Sequence, residues 1–191
     1  MTPLPQALPD VKRFITTHDN KGAAIFSTAV SEAVPQTSVP GAYFSLAYAT
    51  NSLPISLQKD ADLCIYGNYL KENPGLAIST GSVCRVVDIG PGVTSAMHRT
   101  VSLNYGVVLE GEVELILDSG ETRRMQKGDI AIQRGTCHAW KNITMTTGAD
   151  GREGPGWARM LYVLLPIDPV VVDGSGELGE SVPGMGVQPS T

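Results

Sequence analysis

The chain has three histidines, the side chains whose ordinary titration lies nearest neutrality. Two of them sit in glycine-punctuated, strand-prone stretches. His98 lies in residues 92–111 (GVTSAMHRTVSLNYGVVLEG) and His138 in residues 128–142 (GDIAIQRGTCHAWKN). Such imidazoles take and return protons, or ligate metals. The third, His18, lies in a turn segment with Asp19, Asn20, Lys21 and Gly22 and reads as solvated. If residues 137–142 form a strand, period-two alternation puts His138, Trp140 and Asn142 on one face and Cys137 on the other. A Cys137–His138 nucleophile pair is then disfavoured by geometry, and Cys137 reads as an outward, structural thiol. Trp140 either walls a flat or greasy ligand or fills a core. Arg85, in a strand-prone run, either points inward, where its guanidinium suits a carboxylate or enolate, or outward to water. Tyr105 is a proton donor or an aromatic on a pleated sheet, and Glu112 reads as a surface charge.

The elements that must position these residues are short strands. From residue 82 onward, runs at about 82–89, 104–110, 112–117, 121–125, 129–133, 137–142 and 157–165 are separated by glycine-bearing turns. Nothing between them is long enough for the crossover helices of a parallel sheet, so the pattern predicts an all-β sandwich or jelly-roll barrel. Helical character is confined to about residues 60–72. Residues 1–10 are Pro-rich and read as loose, and the β-prone runs 11–15 and 23–28 predict an N-terminal hairpin that adds to one sheet edge. Residues 168–191 are rich in Gly, Pro, Ser and Val without period: either disordered, or an arm that orders only against another surface. The expected organisation is an N-terminal extension over 1–41, a barrel over 42–166 and a flexible arm over 167–191.

Composition narrows the function. The chain's 191 residues suffice for one core, so a metal or disulfide staple is not needed for folding. Nineteen acidic against fourteen basic residues give a formal net charge of -5, without the basic patch that nucleic acid requires. The three cysteines lack CxxC spacing, which argues against a disulfide framework and a structural zinc site and suits a reducing cytosol. The N-terminal residues lack an apolar signal core, and no apolar run reaches the ~18 residues of a membrane span. The expectation is a soluble, cytoplasmic protein with no nucleic-acid or membrane partner.

The two glycine-punctuated windows resemble the motifs of the cupin superfamily, G-x5-H-x-H-x3-E-x6-G followed by G-x5-P-x-G-x2-H-x3-N. Gly92, His98 and Gly111 fall in register with the first motif, and Gly128, Gly135, His138 and Asn142 with the second, one residue shorter here between its glycines. The resemblance covers about residues 75–165. The strings MHRTVSLNYGVVLEGEVELILDSGE and GDIAIQRGTCHAWKN look more narrowly like small single-domain fungal cupins, several of them from natural-product gene clusters. It implies a double-stranded β-helix with both histidines facing its interior, and a homodimer. The family's metal set, three histidines and a glutamate holding Fe, Mn, Ni or Zn, is incomplete here. By register Thr100 stands in place of the second histidine and Asn104 in place of the glutamate, leaving His98 and His138. A hydroxyl and a neutral amide supply no anionic charge to offset a divalent cation, so no cofactor is expected. If a metal is bound, those two histidines hold it.

The resulting expectation is a natural-product tailoring enzyme, a lyase or isomerase acting by acid–base chemistry on a small carbonyl-containing, polyketide-like substrate. His98 and His138 face each other across the barrel as base and acid, supported by Tyr105, and Arg85, Thr100, Asn104, Trp140 and Asn142 contact the substrate. The alternatives are a metal-dependent dioxygenase or decarboxylase and, third, a non-catalytic small-ligand-binding module.

Overall fold

Glycine-bearing turns cut the chain into strands too short to bury themselves, so they pair into sheets that cover one another. The computed structural model describes residues 8–148 and 151–191; most of the segment expected to be loose, residues 1–7, lies outside that range. The N-terminal half contains β1 (Thr16–His18), β2 (Ala24–Phe26), β3 (Gln36–Val39), β4 (Ala42–Ala49), a 3-10 turn (Gln58–Asp60) and α1 (Ala61–Tyr69). There follow β5 (Val83–Ile89), β6 (Ser102–Glu110), β7 (Glu112–Leu117), β8 (Thr122–Gln126), β9 (Ile130–Arg134) and β10 (His138–Asn142). Then come β11 (Met145–Thr147), β12 (Glu153–Pro155), β13 (Ala158–Pro166), β14 (Val171–Val172) and β15 (Gly176–Glu177).

A six-stranded antiparallel sheet, β3-β4-β5-β13-β6-β9, packs against a three-stranded sheet, β10-β7-β8. The principal core lies between them: Phe44, Val87, Val108 and Met160 from the larger sheet meet Val113, Met125 and Trp140 from the smaller. This is the expected all-β jelly roll. The alternation along β6 shows how strands sort their side chains, with Ser102, Asn104, Gly106 and Val108 inward and Tyr105 outward. At the β6–β7 turn Gly111 has φ +77°, and a Cβ there would lie 2.3 Å from Thr144 Oγ1, so the motif glycine meets both a backbone and a packing requirement. A second cluster, including Leu46, Ala49, Tyr66, Val83 and Leu164, forms where α1 covers β4, with Tyr66 Oη donating to the Leu46 carbonyl at 2.7 Å.

Two expectations change. The N-terminal hairpin forms, but β1 and β2 pair only with each other; the outer strand of the large sheet is β3. A local turn dictates a hairpin and leaves its docking undetermined. The C-terminal arm does order, and the surface it orders against is this chain's own barrel. Val182, Met185 and Val187 pack on the main core, Ser181 exchanges two backbone hydrogen bonds with Arg99, and Thr191 does so with Ala77 and Ser79. Among the described residues no helix is long and apolar enough to cross a membrane.

Candidate active site

Backbone pairing brings the two barrel histidines together. The segment before β6 runs antiparallel to β10, with His98 directly opposite His138: His98 N donates to His138 O at 2.8 Å and His138 N to His98 O at 2.9 Å. Directly paired residues project from the same face of a sheet. The imidazoles accordingly sit side by side with ring centroids 4.3 Å apart. This corrects the expectation that they face each other across the barrel.

Each ring is held alike. His98 Nδ1 lies 2.9 Å from the Ala96 carbonyl and His138 Nδ1 2.9 Å from the Thr136 carbonyl. A carbonyl can only accept, so each Nδ1 carries the proton and each neutral ring keeps its lone pair on Nε2. Burial lowers the pKa of His98 below the ordinary imidazole value, against a smaller raising effect of its Ala96 bond. Burial, reinforced by the charge of His98, pushes His138 down to about 4. Neutral solution therefore finds two uncharged imidazoles rather than an acid beside a base.

The pair lines a cavity of about 600 Å³, open mouth included. Arg85 on β5, Asn104 on β6, Gln133 on β9, Ser95 and Thr100 add polar groups, while Phe44, Val87, Trp140, Tyr162 and Leu164 supply apolar wall. Met185 of the C-terminal arm completes the lining. Ser102 Oγ lies 2.7 Å from Thr100 Oγ1 and 2.5 Å from Asn104 Oδ1, and Asn104 Nδ2 donates to Thr100 Oγ1 at 3.3 Å. The positions at which the resemblance expects a histidine and a glutamate thus hold neutral groups tied to one another.

That donor set does not fit a divalent metal of the three-histidine, one-carboxylate kind. Two imidazoles remain, the lining contains no carboxylate, and the buried cation Arg85 shares the space. Among the described residues no three His, Cys, Asp or Glu side chains converge.

Two residues expected at the site lie elsewhere. Tyr105 is 38% exposed on the outer face of β6, because alternation that turns Asn104 inward must turn its neighbour outward. Tyr105→Phe should accordingly leave turnover within about twofold of wild type, by the same assay used for the histidine variants. Asn142 shares the face of His138 but is a clamp. Its Nδ2 lies 2.9, 2.9 and 2.8 Å from the carbonyls of Ile89, Gly90 and Gly156, and its Oδ1 accepts from Thr144 N at 2.9 Å. The tyrosine that does line the cavity is Tyr162, whose Oη donates to Met160 Sδ at 3.0 Å and whose pKa burial raises well above 10. Gly106 makes room for it: a Cβ there would lie 3.0 Å from Tyr162 Cε1 and 3.7 Å from Trp140 Cζ2. Gln133, Ser102 and Met185 were also missed; only the Asn104–Gln133 register, which requires the sheet order, would have pointed to Gln133.

Comparison with known proteins gives a consistent family. The model of the cupin domain family matches residues 85–148. The chain is 43% identical over 176 residues to the phomopsin biosynthesis cluster protein C' of Diaporthe leptostromiformis, covering 92% of this chain and 87% of the relative. It is 44% identical over 176 residues to the oryzines biosynthesis cluster protein J of Aspergillus oryzae, covering 91% and 92%. With the cupin-domain-containing oxidoreductase virC of Hypocrea virens the identity is 42% over 163 residues, covering 84% and 78%.

Proposed function

Since the chain belongs to the cupin domain family, we propose that it is a biosynthetic tailoring enzyme, an isomerase that moves a proton within a small carbonyl compound. The single observation that carries this reading is the pair of neutral, buried imidazoles, each with Nδ1–H donated to a backbone carbonyl and Nε2 free. Relatives assigned by name to biosynthesis clusters support the tailoring role, and relatives named oxidoreductases support catalysis.

Both rings are neutral with Nε2 facing the cavity, and His98, the less buried of the two at 7% against 2% exposed, is the base in this reading. Nε2 of His98 takes a proton from a carbon next to the substrate carbonyl. The C–H electron pair moves into the carbonyl and its conjugated double bond to form an enolate, and the imidazolium, its N–H exchanged with solvent, delivers a proton at another carbon of that conjugated system. Substrate and product then have the same composition, and no oxidant or reductant is consumed. His138, the more deeply buried ring, accepts a hydrogen bond from the substrate. The apolar wall of Phe44, Trp140 and Leu164 excludes water from the enolate. A resting pair without an imidazolium favours such a shuttle over dehydration, which needs an acid ready to protonate a leaving hydroxyl.

Comparing metabolites formed with and without the protein in its pathway identifies the substrate, and the reaction run in D2O then tests the mechanism. One deuterium incorporated into a product isomeric with the substrate is the expected result; a product differing in oxidation level would overturn the reading. The names of the oxidoreductase relatives favour a second reading, an oxidoreductase, for which the cupin resemblance suggests dependence on a metal. Protein produced without added metal should carry less than one equivalent and stay active in chelator, while Thr100→His with Asn104→Glu should raise metal affinity. Stoichiometric iron or zinc, lost together with activity on chelation, would establish the second reading instead.

A further inference from the structure

The lining of the cavity leaves one charge unanswered. Arg85 is 3% exposed and lies in the middle of β5, paired across with Leu46 and Tyr162. A guanidinium has five N–H donors. Among the described residues Arg85 makes one hydrogen bond, from Nη2 to the Gly75 carbonyl, and its buried Nε has no partner. Its remaining support is the ring of Phe44, 5.2 Å from Cζ. Burial pulls its pKa down to about 10, so it stays a cation at neutral pH.

The same strand shows what a self-sufficient arrangement looks like. Asp88, on the opposite face of β5, is 2% exposed and is met by Arg159 with two hydrogen bonds of 2.6 Å, Nε to Oδ1 and Nη2 to Oδ2. That pair is closed and lies outside the cavity lining. Arg85 has no such partner, although leaving a buried charge uncompensated costs several kcal/mol. Gln133 in the same lining repeats the pattern, with both Nε2 and Oε1 buried and unpartnered. Two imidazoles held neutral do not answer a positive charge either.

We infer that the substrate of this cavity is a small planar organic anion, a carboxylate or an ionised 1,3-dicarbonyl, whose oxygens are received by Arg85 with Gln133 beside it. A planar two-oxygen anion matches the fork of a guanidinium. The anion would supply the countercharge that the fold omits, while the aromatic wall of Phe44, Trp140 and Tyr162 suits a flat carbon skeleton. The inference rests on the reading of this cavity as the active site and names the substrate class for it.

The test is calorimetric titration of the full chain at pH 7 with benzoate, with ionised 1,3-cyclohexanedione and with neutral benzamide. At least one anion should bind about tenfold or more tightly than benzamide, and Arg85→Met should abolish that preference. Preference for benzoate alone identifies a carboxylate substrate; preference for the dione alone identifies an enolate. The wild-type ratio is read first, so the result does not depend on the variant folding. Equal affinities for anion and amide, or no anion binding at millimolar concentration, would overturn the inference, as would a folded Arg85→Met that keeps the preference. The D2O experiment is independent. Anion preference without isotope exchange sinks the isomerase reading alone, and exchange without anion preference sinks this inference alone.

Discussion

His98→Ala should lower turnover by roughly 10² to 10⁴, the scale on which a positioned base contributes to a proton transfer. The variant removes the Nε2 lone pair while the strand pairing, which depends on backbone atoms of residues 98 and 138, remains available. His18→Ala, on an exposed position of β1, should leave the rate unchanged. A loss below tenfold in a folded His98→Ala protein would mean that the imidazole is not the base. The pH profile carries the same information. Because burial lowers the pKa of His98, the active neutral form should prevail throughout neutral pH, with rate falling only as pH drops through a value below the ordinary 6.5. An acid limb at or above 6.5 would contradict the burial of the ring. Stability should follow in the same direction. Both imidazoles bind protons more readily in the unfolded chain, so stability present above about 6.5 is lost as pH falls toward the depressed folded values, about 4 for His138. Circular dichroism at each pH separates this loss of fold from loss of the base.

The largest expected effect on folding belongs to Asn142. Its side chain is 1% exposed and ties the end of β5, the Gly90 turn and Gly156 to β10 through one amide. Asn142→Ala deletes these bonds and the acceptor for Thr144 N, and strands buried carbonyls that have no water to turn to. A destabilisation of about 3 kcal/mol in urea unfolding is expected. Asn142→Asp should be worse, because a carboxylate would lie against three carbonyl oxygens. A cost below about 1 kcal/mol would show that these bonds are replaceable. Since Asn142 is outside the cavity lining, the fraction of Asn142→Ala that remains folded should turn over at the wild-type rate.

Such a clamp and a substrate contact look the same in sequence, because period-two alternation specifies a face and not the depth along it. Alternation was sufficient where one face meets water: β6 reads cleanly as Ser102 and Asn104 in, Tyr105 out. It is silent on β13, where the outer face is half-buried and Ala158–Pro166 reads as an almost unbroken apolar run, so nothing singles out Tyr162. The pairing of His98 with His138 joins segments forty residues apart and is a fact of register between them. Motif spacing put both rings inside but could not make them neighbours. Met185 lies in a stretch with no periodicity, and only its contact with the finished barrel places it at the cavity.

That contact bears on how the protein can diversify. Most of the cavity wall belongs to strands, where a changed side chain must also suit the sheet, as Gly106 must suit Tyr162 and Trp140. Met185 belongs to an arm pinned on either side of it by backbone hydrogen bonds at Ser181 and Thr191, with Val182 and Val187 packed on the core beside it. Substitutions at Met185, outside every strand, therefore explore pocket shapes at less risk to the barrel than changes on the strands, which makes this position a natural place for related chains to diverge in the skeleton they accept. It is equally the first position to randomise in a library aimed at new substrates.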